Sequence, residues 1–213
     1  MIRNCLLAIP IFALFAACSN EEDIYANALD RWTGSATESD ARVAQLASSN
    51  STVLQVAFFE ISARGVLLLE GRRDGYETWV SGEGATLILN DGFVVGARGV
   101  GSGLMASDVS ESRSAVYGRQ NVDVLRFHSF LTENDEIETR SYKCAIENGD
   151  RQEITIVDRR VNALVMRESC KSLDQEFLNI YWLDPSGGKI IQSRQWLGGD
   201  VGVVVLREVA VQQ

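Results

Sequence analysis

Histidine occurs once in the 213 residues, at position 128, and no Gly-x-Ser-x-Gly is present. That excludes a Ser-His hydrolase built on a nucleophile elbow. Cysteine is scarce: Cys5, Cys18, Cys144 and Cys170 include no Cys-x-x-Cys pair, and with one distant His they complete no tetrahedral metal set. No metal or other cofactor is expected. Basic residues are few, 20 Lys and Arg against 29 Asp and Glu, for a net charge of −9. Without a basic stripe the chain is no nucleic-acid binder, because that affinity rests on Lys and Arg meeting phosphates. Nor should it dock electrostatically on anionic lipid. The glycines of Gly99-Val-Gly-Ser-Gly103 have G-x-G-x-G spacing, and neither a following helix nor a Gly-Lys-Ser/Thr supports a phosphate loop. Glu133-Asn134-Asp135-Glu136 lacks the EF-hand order and reads as a solvated hairpin turn. Carboxylates are too plentiful on an acidic surface to single out a glycosidase pair. The chain reads as a non-enzyme.

The first residues read as a leader and not as part of the fold. Arg3 precedes an apolar run from Cys5 to Ala17, which is interrupted by Pro10 and ends in "FAAC". The run is shorter than the roughly 20 residues a membrane helix needs. A charged start, a short apolar middle and small residues at a cut define a signal peptide over residues 1–17. "FAAC" resembles the lipobox of bacterial lipoproteins. The resemblance implies cleavage before Cys18, diacylglycerol on its thiol and acylation of the new amine. Ser19, in place of Asp, implies the outer membrane, with the body facing the periplasm. Removing 17 of 213 residues leaves 196, enough for one domain with a sizeable core. With Arg3 gone, 19 basic side chains face 29 acidic ones, for −10. Attachment to membrane then comes from the acyl chains alone. Cys144 and Cys170 remain, and a leftover pair in an exported chain forms one disulfide. In a simple meander their strands are next-but-one neighbours. The bond would then either cross a barrel or link strand ends brought together by curvature.

Residues 18–50 read as a lipidated tether. Ile24, Ala28, Leu29 and Trp32 recur at helical spacing, and a second short helix fits Ser39 or Asp40 to Leu46. From residue 51 to 213 the pattern is β throughout. Asp74-Gly75 and Asp91-Gly92 between apolar runs are strong hairpin signals, since both turn positions need positive φ. Around the second, Leu89 should face Val94 and Ile88 should face Val95. Residues 107–114 are small and polar and read as a loop. The fold class is all-β: an antiparallel meander of about a dozen strands, curled into a barrel-like or two-layer body to remove exposed edges, with one or two short N-terminal helices.

The segment "NIYWLDPSGGKIIQSRQWLGGD" (179–200) holds the candidate site. With Asp184 opposite Lys189, Trp182 meets Ile191 on a core stripe with Ile180 and Leu178. The opposite face then pairs Tyr181 with Gln192, Asn179 with Arg194 and Phe177 with Trp196. Such a face stacks on a sugar ring, meets a protein partner, lines the polar side of a barrel, or is purely structural.

This segment resembles the C-terminal motif of the YjbF/GfcB family, the group 4 capsule polysaccharide lipoproteins. In that motif an aromatic-Trp-x-Asp turn leads into Ser-x-Gln and then aromatic-Leu-Gly. "YETWVSGEGATLILNDGFVVGARGVGSGL" (76–104) is similar to the family's second motif. The lipobox and tether match too, whereas residues 107–172 match least. The resemblance implies an outer-membrane lipoprotein with a mainly-β, barrel-like fold that serves exopolysaccharide or capsule secretion. It also implies a large outer-membrane β-barrel partner of the YjbH/GfcD type, and no catalytic residues. Two functions stay open: an accessory that binds that barrel, and a glycan-binding lipoprotein that contacts the polysaccharide through Asn179, Tyr181, Gln192, Arg194 and Trp196.

Overall fold

The computed structural model describes residues 52–210 apart from 102, 133 and 158. The leader, Cys18 and the tether helices expected within 18–50 lie outside the described residues.

Thirteen strands and one helix follow in order. They are β1 (Thr52–Phe58), β2 (Ala63–Arg73), β3 (Tyr76–Val80), β4 (Thr86–Asn90), β5 (Phe93–Arg98), β6 (Leu104–Asp108), α1 (Ser110–Tyr117) and β7 (Val122–Leu131). Then come β8 (Ile137–Asn148), β9 (Gln152–Ile156), β10 (Arg159–Lys171), β11 (Glu176–Leu183), β12 (Ile190–Gly198) and β13 (Gly202–Ala210). All ladders are antiparallel, and the path β5-β4-β3-β2-β1-β13-β12-β11-β10-β8-β7-β6 nearly closes into a barrel. The first and last strands pair, from Thr52↔Ala210 to Phe58↔Val204, which joins two meanders into one wall. The all-β barrel-like expectation therefore holds.

The Asp-Gly turns form as the sequence predicts, with φ of 53° and 80° at Asp74 and Gly75, and 48° and 86° at Asp91 and Gly92. Leu89 faces Val94, but Val95 is bulged out, so Ile88 faces Gly96. The supposed loop at 107–114 is the end of β6 and the start of α1. The Asp108 carboxylate accepts from the Ser110 backbone N–H at 3.0 Å and from its hydroxyl at 2.7 Å. Glu111 sits in the first turn, where the helix dipole favours it. Ser112, Ala115 and Val116 bury one narrow stripe. Small polar residues masked this helix, and its i, i+3, i+4 spacing was the available signal.

β9 breaks the simple meander. It pairs only with the first part of β10, from Ile156↔Arg159 to Gln152↔Ala163. The rest of β10 is left to pair directly with β8, which sets Cys170 opposite Cys144. The disulfide therefore joins adjacent strands, with Cα atoms 4.0 Å apart, and neither crosses a barrel nor links distant ends. The β9 hairpin lies over β11: Ile154, Ala163 and Val165 pack against Ile180 and Trp182, with Leu178 and Ile191 at the margin. Trp182 Nε1 donates to Gln152 Oε1 at 2.6 Å. The core stripe expected on β11 is thus real, and a flap covers it.

The interior holds two further clusters. One gathers Leu54, Val56, Trp79, Leu87, Leu89, Val204 and Leu206 from β1, β3, β4 and β13. The other gathers Phe93, Val116, Tyr142, Met166, Phe177 and Tyr181 beneath α1 and β7–β11. Between them leans the β4–β5 hairpin tip. Gln195 Oε1 accepts from Val94 N at 2.9 Å and Gln195 Nε2 donates to Gly92 O at 2.8 Å. The Tyr117 hydroxyl donates to Asp91 O at 2.8 Å.

Candidate functional site

The five residues expected to form a contact face do not form one. The turn itself is as read, since Asp184 N donates to Lys189 O at 2.8 Å. A register shift between Trp182 and Leu183 then moves the pairing by one: Tyr181 faces Ser193, Trp182 faces Gln192 and Ile180 faces Arg194. Strand side chains alternate, so the slip sends Gln192 and Arg194 to the side of Trp182 and away from Tyr181. Gln192 Oε1 accepts from Arg207 Nε at 2.8 Å, and Arg194 Nη1 donates to Leu178 O. Asn179, Tyr181, Gln192 and Arg194 are buried and Trp196 is partly buried. The set is split between the two sides of the sheet and offers no common surface.

Asn179 and Tyr181 instead enter a polar network inside the second cluster. Glu168 Oε2 accepts from Arg126 Nη1 at 2.8 Å, Asn179 Nδ2 at 2.8 Å and the Tyr181 hydroxyl at 2.6 Å. Glu168 Oε1 accepts from the Ser112 hydroxyl at 2.5 Å. Arg126 Nε donates to His128 Nε2 at 2.8 Å. Asn179 Oδ1 accepts from Trp196 N at 2.8 Å, which carries the network into β12. Side-chain exposure of Arg126 and Glu168 is 1% and 0%. A buried charge is tolerable only when paired and hydrogen-bonded, and here both conditions are met. Burial alone would raise the Glu168 pKa, but Arg126 and the donors Asn179, Ser112 and Tyr181 outweigh it, and the carboxylate is held below its ordinary range. Burial first, and the Arg126 charge second, push His128 well below its ordinary value. His128 is therefore neutral, with Nε2 as acceptor. It is also a ring in an aromatic stack: its centroid lies 5.6 Å from Phe177 and 5.7 Å from Trp196, which themselves stack at 4.5 Å. His128 is thus a packed residue on β7.

The closed network has little to offer as a reaction centre. Both Glu168 oxygens are occupied by fixed donors, and the group is sealed beneath α1. Cys144, Cys170 and Glu168 lie close enough to suggest a metal site. The sulfurs are bonded to each other and the carboxylate is occupied, so the trio lacks free ligand atoms. Gly99–Gly103 links β5 to β6, and no helix begins there. Residues 132–136 form the β7–β8 turn, where Thr132 N donates to Glu136 O at 2.8 Å.

What the inward side of β7 gains in polarity, its outward side shows in apolarity. Arg126 and His128 point in, while Leu125 and Phe127 are 50% and 39% exposed. Met105 on β6, the strand beside β7, is 40% exposed and Ile137 at the start of β8 is 66% exposed. Alternation in "VLRFHSF" was legible, but its polarity is inverted relative to the interior. Across the ladders Leu125 lies opposite Lys143, Phe127 opposite Asp108 and Ser141, and Ile137 opposite Leu131 at the far end of β7, so these exposed apolar side chains are interspersed with polar ones.

The barrel-like sheet and its buried polar core define a β-rich body. Residues 25–208 match the family described as "Group 4 capsule polysaccharide lipoprotein gfcB, YjbF". The chain belongs to that family. Among solved structures it is similar to the hypothetical lipoprotein YmcC from Escherichia coli (K12), at 18% identity and a TM-score of 0.66, over 90% of this chain and 97% of that one. That likeness concerns the fold. Comparison with curated proteins gives no match. Among the described residues no helix is long and apolar enough to cross a membrane.

Proposed function

We propose that the chain is an outer-membrane lipoprotein, anchored by acyl chains on Cys18 with its body in the periplasm. In this reading it is a non-enzymatic accessory in exopolysaccharide or capsule assembly and secretion, and it docks on an outer-membrane β-barrel protein of the YjbH/GfcD type. Family membership supports the capsule setting. The observation that carries the docking is the inverted strand β7, whose outward Leu125 and Phe127, two positions apart on one face, give a partner two apolar anchors. Aromatic anchors on such patches supply much of the affinity of protein interfaces. Two apolar-to-acid changes there, Leu125→Asp and Phe127→Asp, should leave the fold intact because both side chains already face water. Affinity purification of the tagged lipoprotein from detergent extracts tests the reading. A barrel protein should copurify with the native chain and be lost with the double variant. Absence of any barrel partner would count against it.

A further inference from the structure

The barrel has a cleft of about 180 Å³ at the mouth between the leaning β4–β5 hairpin and the wall of β12, β13 and β1. Leu54, Leu89 and Leu206 form its apolar floor. Its charged lining is Glu77, Asp91, Lys189 and Glu208; Arg113 pairs with Asp91 at 2.8 Å, and Arg72 bridges Glu77 and Glu208 from behind the lining. Arg72 Nε donates to Glu77 Oε1 at 2.7 Å and Arg72 Nη2 to Glu208 Oε1 at 3.4 Å. Trp79 Nε1 donates to Glu77 Oε2 at 3.0 Å, and Lys189 Nζ lies 2.8 Å from Glu208 Oε2. Glu77 and Glu208 are about four-fifths covered, at 20% and 18% exposure, whereas Lys189 and Arg72 are about half exposed.

We propose that this cleft binds one neutral sugar unit. The size fits: the volume equals that of about six waters in the liquid, enough for a single pyranose ring. It is well short of the 300 Å³ or more typical of sites for larger ligands. The chemistry fits as well. A carboxylate offers about four lone-pair sites, and the rim contacts named here use one per oxygen, so hydroxyl donors have acceptors waiting. Lys189 offers N–H groups to hydroxyl oxygens. The leucine floor suits the C–H face of a ring. Charge selects against anions, because the lining carries Glu77, Asp91 and Glu208 against Lys189, and a uronate or phosphate would meet three carboxylates there. A mouth of this kind is a common place for ligands in barrels. The proposal is independent of the partner contact at β7.

Chemical-shift titration of the mature lipoprotein, in a detergent without a sugar headgroup, tests it. The probes are the methyl glycosides of glucose, galactose, mannose and N-acetylglucosamine. At least one should shift the amides of Gly92, Lys189 and Ile191 saturably, with a dissociation constant of roughly 1–10 mM. Lys189→Ala, at an exposed site that leaves the fold intact, and Glu208→Gln should each weaken that binding tenfold or more. The glucuronide should bind less well than the glucoside. The proposal fails if no glycoside gives saturable shifts, if the shifts persist in both variants, or if the glucuronide is preferred. A negative result leaves the β7 docking standing, since that is read by copurification.

Discussion

Gln195 and Gly92, 103 positions apart, are joined by a 2.8 Å hydrogen bond from the Gln195 amide to the Gly92 carbonyl. With the return bond from Val94 N to Gln195 Oε1, the side chain caps the β4–β5 hairpin tip. The two stretches that carry the family likeness therefore hold each other. Gln195→Leu removes an acceptor and a donor while leaving two buried backbone groups unpaired. Each such group costs about 1–3 kcal/mol, so a loss of about 2–6 kcal/mol is expected in urea unfolding at neutral pH. Gln195→Glu would bury a carboxylate with an oxygen against the Gly92 carbonyl and should cost at least as much.

The Arg126–Glu168 pair should be costly to break from either side. Removing one partner strands a buried charge, at about 3–5 kcal/mol. Arg126→Met and Glu168→Gln are each expected to lower the urea midpoint by a matching amount, and the double change Arg126→Met/Glu168→Gln to recover part of it. A double variant as weak as the sum of the two singles would show that the pair acts as two unrelated sites.

Stability should fall in two stages on acidification. His128 is held neutral in the fold, while the unfolded chain takes up its proton near pH 6.5. Below that pH the unfolded state binds more protons, so stability declines from about pH 6.5 downward. Glu168 has a lowered pKa in the fold, so its contribution is full above the ordinary carboxylate value of 4.5 and is lost as pH falls through its folded pKa. Urea midpoints measured between pH 8 and pH 3 should show both declines. His128→Gln, which keeps an acceptor for Arg126, should remove the first and spare the second.

Trp196→Ala should unfold the protein more readily by about 3–5 kcal/mol, as for other large aromatics in cores. The ring stacks on Phe177 and its backbone is held by Asn179, so the effect is on stability. Unchanged melting with lost secretion would restore the surface reading of this residue.

Joining Cys144 to Cys170 closes a loop of sequence separation 26, worth about 3.5 kcal/mol on the chain-entropy estimate. Reduction, or Cys144→Ala/Cys170→Ala, should lower the thermal midpoint without altering the partner contact. Mass spectrometry of the unreduced mature protein should find the linked peptide.

Strand content and both Asp-Gly turns were legible because local turn chemistry and period-2 alternation decide them. The "DPSGG" turn was legible too: Asp184 Oδ1 accepts from the Ser186 hydroxyl at 2.6 Å and from Gly188 N at 3.1 Å. What followed that turn was not. One extra residue on β12, Ile191, opposite the Trp182–Leu183 step, moved Gln192 and Arg194 to the other side, and bulges leave no mark in alternation. The Arg126–Glu168 pair was missed because its members sit 42 positions apart with no motif around either. The adjacency of Cys144 and Cys170 depended on β9 stepping out of the meander, which no local pattern announces.

The anchor is tested by Cys18→Ala. On the proposed reading acyl chains, at about 0.8 kcal/mol per buried CH₂, supply the attachment, so the unlipidated chain should leave the outer-membrane fraction. Retention after a salt wash would refute this.

The docking claim is tested most directly in living cells. A photo-crosslinking residue is placed at Phe127, and as a control at Val66, which is 46% exposed on β2. The account predicts a crosslink from position 127 to an outer-membrane β-barrel protein and none from position 66. No crosslink at 127, or equal crosslinking from both positions, would contradict it.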